Sequence, residues 1–266
     1  MNESDLMRMR DAKDVDGLFK VMEGDDLNLG VFAASCLTDL GEETAFEPMV
    51  NLFLKHAQEK LILGQHLARL IFRMRVYKGV KPDPDKVVPL LALLNDPNQY
   101  VQYAVKKILI ELGDPRYAEA CGIVTDGEAI NTIIADTRDL DPKKCHSATM
   151  ELVKIGPLVA NPDLRTSIVE RLLEILRMPV SEEYGPARYN AARGLGLMGD
   201  TRAVDDLILA LQDPGWMIRE EAAISLSELK DPKAIPALIT ATRYPDDITP
   251  KAANQALQIF KRMGLF

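Results

Sequence analysis

Aromatic residues are scarce in this 266-residue chain, 6% of the total with a single tryptophan, so the apolar 47% is mostly Leu, Ala, Val, Ile and Met. That mixture suits closely packed helices. Cysteine is rare and scattered, at Cys36, Cys121 and Cys145, which excludes a disulfide framework and fits a reducing compartment. Long apolar runs are missing as well: stretches such as Val87 to Leu94 fall far short of the roughly 20 residues needed to cross a bilayer. The start, Met1-Asn2-Glu3-Ser4-Asp5, lacks the basic-then-apolar order of a secretory signal. The expectation is a cytoplasmic protein with no membrane span. Positive charge is also in deficit, 32 basic against 40 acidic residues for a net charge of -8. The resulting field repels phosphate backbones and argues against nucleic acid as the main partner. The local basic segment Arg69, Arg73, Arg75, Lys78, Lys81 reads as a solvated helix end whose cations suit the C-terminal dipole.

What the chain does have is a period. The block Glu182 to Asp200 and the block Asp213 to Asp231 match at a pitch of 31 residues without a gap, with Ala191-Ala192 and Leu195 answering Ala222-Ala223 and Leu226. A third copy from Tyr244 places Ala253, Leu257 and Phe260 at the same offsets. Self-similarity at this pitch marks a stacked array in which each unit covers its neighbour's apolar face. The blocks aligned on Asp96, Asp139 and Glu182 are spaced by 43 residues instead, and the additions map to turn-rich stretches around 120–127 and 156–162. Insertions of that kind gather on the edges of an array, as binding loops or as filler.

Asp-Pro occurs six times, at Asp83, Asp96, Asp114, Asp141, Asp213 and Asp231, with Asn161-Pro162 as a relative. Each reads as a helix start, because Asp accepts from a free N–H of the first turn while Pro gives up a donor with no intrahelical partner. Apolar stripes at helical spacing, such as Ile218, Ala222, Leu226, Leu229 and Ala203, Val204, Leu207, Ile208, Leu211, define a first and a second helix per unit. First helices are expected near 27–40, 58–76, 97–112, 142–155, 184–198, 214–229 and 247–262, with a starting helix near 11–22.

The repeated phrase of Asp-Pro, an Ala-Ala pair, Leu, Gly-Asp, then Ala-Val or Ala-Ile and Leu resembles HEAT-like repeats, of the subtype first noted in phycobilisome lyases. The resemblance implies an all-α fold, an α-solenoid of about seven helix-turn-helix repeats, running as a single array over 1–266. That array is most regular in 182–266 and longer and irregular in 96–181. It also implies that second helices line the concave face. On that face the wheel places Arg202, Asp205, Asp206 and Leu209, with Glu47 and Glu119 at equivalent positions. Trp216, just after Asp213-Pro214-Gly215, is either an interface anchor or a ring laid across the preceding repeat. The expected partner is another protein with a basic or amphipathic segment.

Chemistry finds little support in the sequence. The resemblance extends to HEAT-like deoxyhypusine hydroxylases, which bind iron through His-Glu pairs, but here His56 is followed by Ala57, His66 by Leu67 and His146 by Ser147. Cys145 and His146 point about 100° apart on one helix, which is poor geometry for chelation. Cys36 holds a place occupied by Ile108, Gly194, Ser225 and Ala256 in other copies, so it reads as a packing residue rather than a nucleophile. The glycines of Arg193-Gly194-Leu195-Gly196-Leu197-Met198-Gly199 follow no strand and read as close helix approach and a C-terminal stop, not a phosphate loop. The expectation is therefore a non-enzymatic scaffold or adaptor that needs no cofactor and binds its partner along the concave face. The alternative is a lyase-like enzyme subunit resembling the phycobilin lyases, which attach a linear tetrapyrrole to protein cysteines.

Overall fold

The computed structural model describes residues 1–40, 46–56, 84–112, 117–118, 122 and 126–265. The expected helix near 58–76, the basic segment Arg69 to Lys81, His66, Cys121, the Asp-Pro steps at Asp83 and Asp114, and most of the stretch 120–127 lie outside them, as does the side chain of His56. Among the described residues every regular element is helical, and the chain divides into two compact units, Met1–Leu112 and Gly113–Phe266.

The first unit opens with α1 (Glu3–Asp11), α2 (Val15–Met22), α3 (Leu27–Leu40) and α4 (Phe46–His56). It continues through a 3₁₀ segment, Pro84–Asn95, into α5 (Gln99–Leu112). One starting helix near 11–22 was expected, but the structure has two. Asn2 and Asp5 form a reciprocal capping box, 3.1 and 2.8 Å, that satisfies two donors at the start of α1 and makes the polar N-terminus helical. Leu6, Leu18, Met22, Ala33 and Leu37 are buried where these helices meet, and Cys36 is buried with them. Burial pushes the Cys36 thiol up from its ordinary value, which opposes thiolate formation.

The second unit is a two-layer array. Its first layer is α7 (Pro142–Ile155), α9 (Gly185–Met198), α11 (Trp216–Leu229) and α13 (Thr249–Arg262), each packed on the next. Its second layer is α6 (Gly127–Asp136), α8 (Pro162–Leu176), α10 (Val204–Ala210) and α12 (Ile235–Ala241). Between the layers lies a continuous core, including Leu152, Ile168, Leu172, Ala191, Leu195, Leu207, Ala222, Leu226, Leu238 and Phe260. The Ala-Ala pairs sit at its centre because only small side chains allow helices of successive repeats to approach this closely.

Asp141 and Asn161 cap α7 and α8 directly. Asp96 and Asp213 act earlier than expected: each accepts from the N–H two residues on, at 2.8 Å, and the helix begins only at Gln99 or Trp216. The aspartate there closes an Asx turn that aims the chain into the helix. Asp231 caps a 3₁₀ turn, Pro232–Ala234, which runs into α12. The inserted stretch 156–162 is folded inward. Pro157, Leu158 and Val159 are buried, and Arg165 donates to the carbonyls of Pro157, Val159 and Met198 at 3.0 to 3.2 Å.

Glycines in α9 mark contact, as their spacing implies. A Cβ at Gly196 would sit 2.8 Å from Ser225 Cα, and one at Gly194 would sit 2.8 Å from Val153 Cγ2. Gly199 ends the helix in the left-handed region, φ 68°. Gly196→Ala is expected to destabilise the second unit by about 1–3 kcal/mol, because the α9–α11 spacing must open against backbone rather than a flexible side chain. Urea denaturation followed by far-UV circular dichroism measures it, and an unchanged midpoint would show that the helices are not in contact there.

Candidate functional site

The expected partner face is built on α10. Asp205 and Leu209 are exposed on it and Arg202 in the 3₁₀ turn just before it, and Leu209 keeps 69% of its surface in water. The carboxylates are already matched from within the chain. Arg177 holds Asp206 through two bonds of 2.6 and 2.7 Å, and Lys233 reaches Asp205 at 2.5 Å. Arg202 grips Asp200 at 2.7 Å and lies 3.9 Å from Glu170. Cations of neighbouring repeats thus neutralise the acid tendency read from the wheel, although such exposed pairs contribute only about 0–1 kcal/mol each. Trp216 starts a first-layer helix and does not join this group. Glu119 and the side chain of Glu47 lie outside the described residues.

A second polar group lies in the seam between α9 and α11. Glu221 is 8% exposed and hydrogen-bonded to Tyr189. Burial raises its carboxyl to about 7, against the opposing charge of Arg193 and with help from Glu228 and Glu220. Tyr189, also desolvated and facing Glu221, is pushed up to about 12. Next along the layer, Asn190 Nδ2 lies 3.2 Å from His146 Nδ1 and donates to Pro186 O at 2.8 Å, so His146 sits in a packed polar contact between α7 and α9. Cys145, its neighbour, is buried and its thiol is raised by desolvation. Among the described residues no group of three or more His, Cys, Asp or Glu side chains is placed to hold a metal ion. Nor, among them, is any helix long and apolar enough to cross a membrane.

Sequence reading missed this seam because Glu220-Glu221 looks like helix surface. The signal was present in the repeat register. Glu221 precedes the Ala-Ala pair of its copy as Asn190 does one repeat earlier, Ala252 holds the same register one repeat later ahead of Ala253-Asn254, and all three positions are buried. A carboxylate in a slot that its neighbours fill with amide or methyl is a desolvated carboxylate, and perturbed groups of this kind concentrate at functional sites.

Residues 169–258 match the family model for HEAT repeats. This stretch carries HEAT repeats. Within that class the sequence is similar to the phycocyanobilin lyase subunit alpha of Picosynechococcus sp., 51% identical over 53 residues, and to that of Nostoc sp., 54% identical over 54 residues. Each match covers 20% of this chain and 20% of the relative, about a fifth of the length of either. The complex of CpcE and CpcF of phycocyanin lyase from Nostoc sp. is similar in fold, with 18% identity, a TM-score of 0.45, and coverage of 95% of this chain and 94% of that one. These findings correct the expectation of a non-enzymatic scaffold or adaptor: the sequence relatives, over the stretches they share with this chain, are subunits of an enzyme. The residues misled because packing sets most of the composition of a repeat array. A missing catalytic triad or metal set in one subunit is therefore no evidence against chemistry assembled between chains.

Proposed function

We propose that this chain is one subunit of a bilin lyase, which joins a linear tetrapyrrole to a cysteine of an acceptor protein, and that it works together with a second protein chain. The local identity of 51% and 54% to phycocyanobilin lyase alpha subunits carries this reading. Identity at that level in a repeat protein exceeds what a shared packing pattern demands, since core positions accept any apolar residue of about the right size. The α9–α11 seam supplies the groups for proton handling. Glu221, held near 7, keeps and releases a proton at neutral pH.

The test is reconstitution with phycocyanobilin, apo-phycocyanin and CpcF from Nostoc sp. as second subunit. The chain is expected to shift the phycocyanobilin absorbance on mixing and to produce a coloured acceptor band that survives denaturing electrophoresis. A coloured band of equal strength without the chain, or none with it, would defeat the proposal.

A further inference from the structure

Four loops of the second unit, 137–141, 177–184, 211–215 and 242–248, each lead from a second-layer helix into the next first-layer helix. They are stitched together in order. Arg171 donates to Thr137 Oγ1 at 2.7 Å and to Thr137 O at 2.8 Å, and the Tyr184 hydroxyl donates to Leu140 O at 3.0 Å. Arg188 donates to Leu176 O at 3.1 Å and pairs with buried Asp213. Arg219 donates to Asp213 O at 2.6 Å and Asp246 Oδ2 at 2.6 Å, and lies 4.2 Å from the centre of the Tyr244 ring. Buried guanidinium groups therefore hold the four loops as one firm ridge.

That ridge leaves large apolar side chains in water. Leu140 is 89% exposed, Val180 60%, Met217 47% and Trp216 44%. They recur at the same edge of three successive repeats, so they form a row rather than scattered exceptions, and such rows mark interaction surfaces. Charge selects the occupant. Glu182 and Glu183, beside Val180, are exposed and form no ion pair among the described residues, whereas Asp139, Asp205 and Asp206 are matched by Lys144, Lys233 and Arg177. Two carboxylates without partners next to an apolar row complement a segment that carries cations beside its apolar face.

We propose that this loop ridge docks an amphipathic segment of a partner protein, with large apolar side chains seated on Leu140, Val180, Trp216 and Met217 and lysine or arginine facing Glu182 and Glu183. The inference rests on the lyase reading only in expecting a second protein chain. Binding is measured without bilin, so the two fail separately.

Trp216 is the chain's only tryptophan, and its emission reports the ridge directly. The probe is a helical peptide of roughly 18 residues made of Leu and Lys in amphipathic order, titrated into the full chain. A saturable blue shift is expected, with a Kd on the order of micromolar. Glu182→Lys with Glu183→Lys should weaken it about tenfold, and Leu140→Ser with Val180→Ser should weaken it as well. Glu128→Lys with Asp163→Lys, exposed in the first turns of α6 and α8 at the ends away from the ridge, should leave it unchanged, and the same peptide with Glu for Lys should not bind. The proposal is overturned by no blue shift, or by equal weakening from both charge reversals, which means diffuse charge attraction. A blue shift on concentrating the chain alone, which means a second copy, or with phosphatidylcholine vesicles and no peptide, which means a lipid surface, also overturns it.

Discussion

Replacing Arg188 with alanine is expected to cost the second unit about 3–5 kcal/mol of stability, the typical effect of removing one partner from a buried ion pair. Both side chains are nearly inaccessible, 8% for Arg188 and 4% for Asp213. The variant strands the Asp213 carboxylate out of water with only the Gly215 N–H at 2.8 Å to hold it, and frees the Leu176 carbonyl that Arg188 Nε had satisfied. Asp213→Ala should be similarly severe. The double variant should cost less than the two singles together, because neither charge is then left alone. Urea denaturation read by Trp216 fluorescence measures all three, since Trp216 lies three residues beyond Asp213 in the sequence. Losses under about 1 kcal/mol for the single variants would mean that water reaches the pair.

Glu221→Gln should act in the opposite direction and only at the right pH. Burial holds the carboxyl at about 7, above the ordinary 4.5, so between these values the folded chain keeps a proton that the unfolded chain has lost. The stability tied to that proton is complete below 4.5, declines as pH rises, and is gone above 7. Ionised Glu221 then sits desolvated at a cost of roughly 3 kcal/mol. Glutamine keeps an acceptor for Tyr189 without the charge, so the variant should be more stable than the parent by up to about 3 kcal/mol at pH 8. At pH 4 the two should coincide. Denaturation midpoints across this range measure the difference. A parent whose stability is flat from pH 4.5 to 8 would show that Glu221 ionises freely and that the seam is wet.

Much of the second unit was legible because repetition averages out local noise. The expected 142–155 and the observed Pro142–Ile155 share the same bounds, and 184–198 and 247–262 differ from Gly185–Met198 and Thr249–Arg262 by only one or two residues at the start. Asp-Pro was slightly misread. At Asp96 and Asp213 its side chain closes a turn ahead of the helix, a choice that depends on where the preceding repeat delivers the chain. The buried arginines were the larger omission. Arg171, Arg188 and Arg219 look like surface residues in composition, and only three-dimensional loop carbonyls and carboxylates give them partners. The same holds for Glu221, whose burial was visible only by comparing its slot with Asn190 and Ala252. The enzymatic reading was available only as the alternative that the repeat phrase's resemblance to phycobilin lyases implies, with no catalytic residue to favour it. Stretches of shared identity about a fifth of the chain long favour it over the scaffold.

The most direct measurement is the mass of the acceptor. After incubation of apo-phycocyanin with phycocyanobilin, CpcF and this chain, a proteolytic digest should contain a cysteine peptide heavier by one bilin, and that peptide should be absent when the chain is omitted. An acceptor that stays unmodified, or gains the same mass without the chain, would contradict a role in bilin attachment.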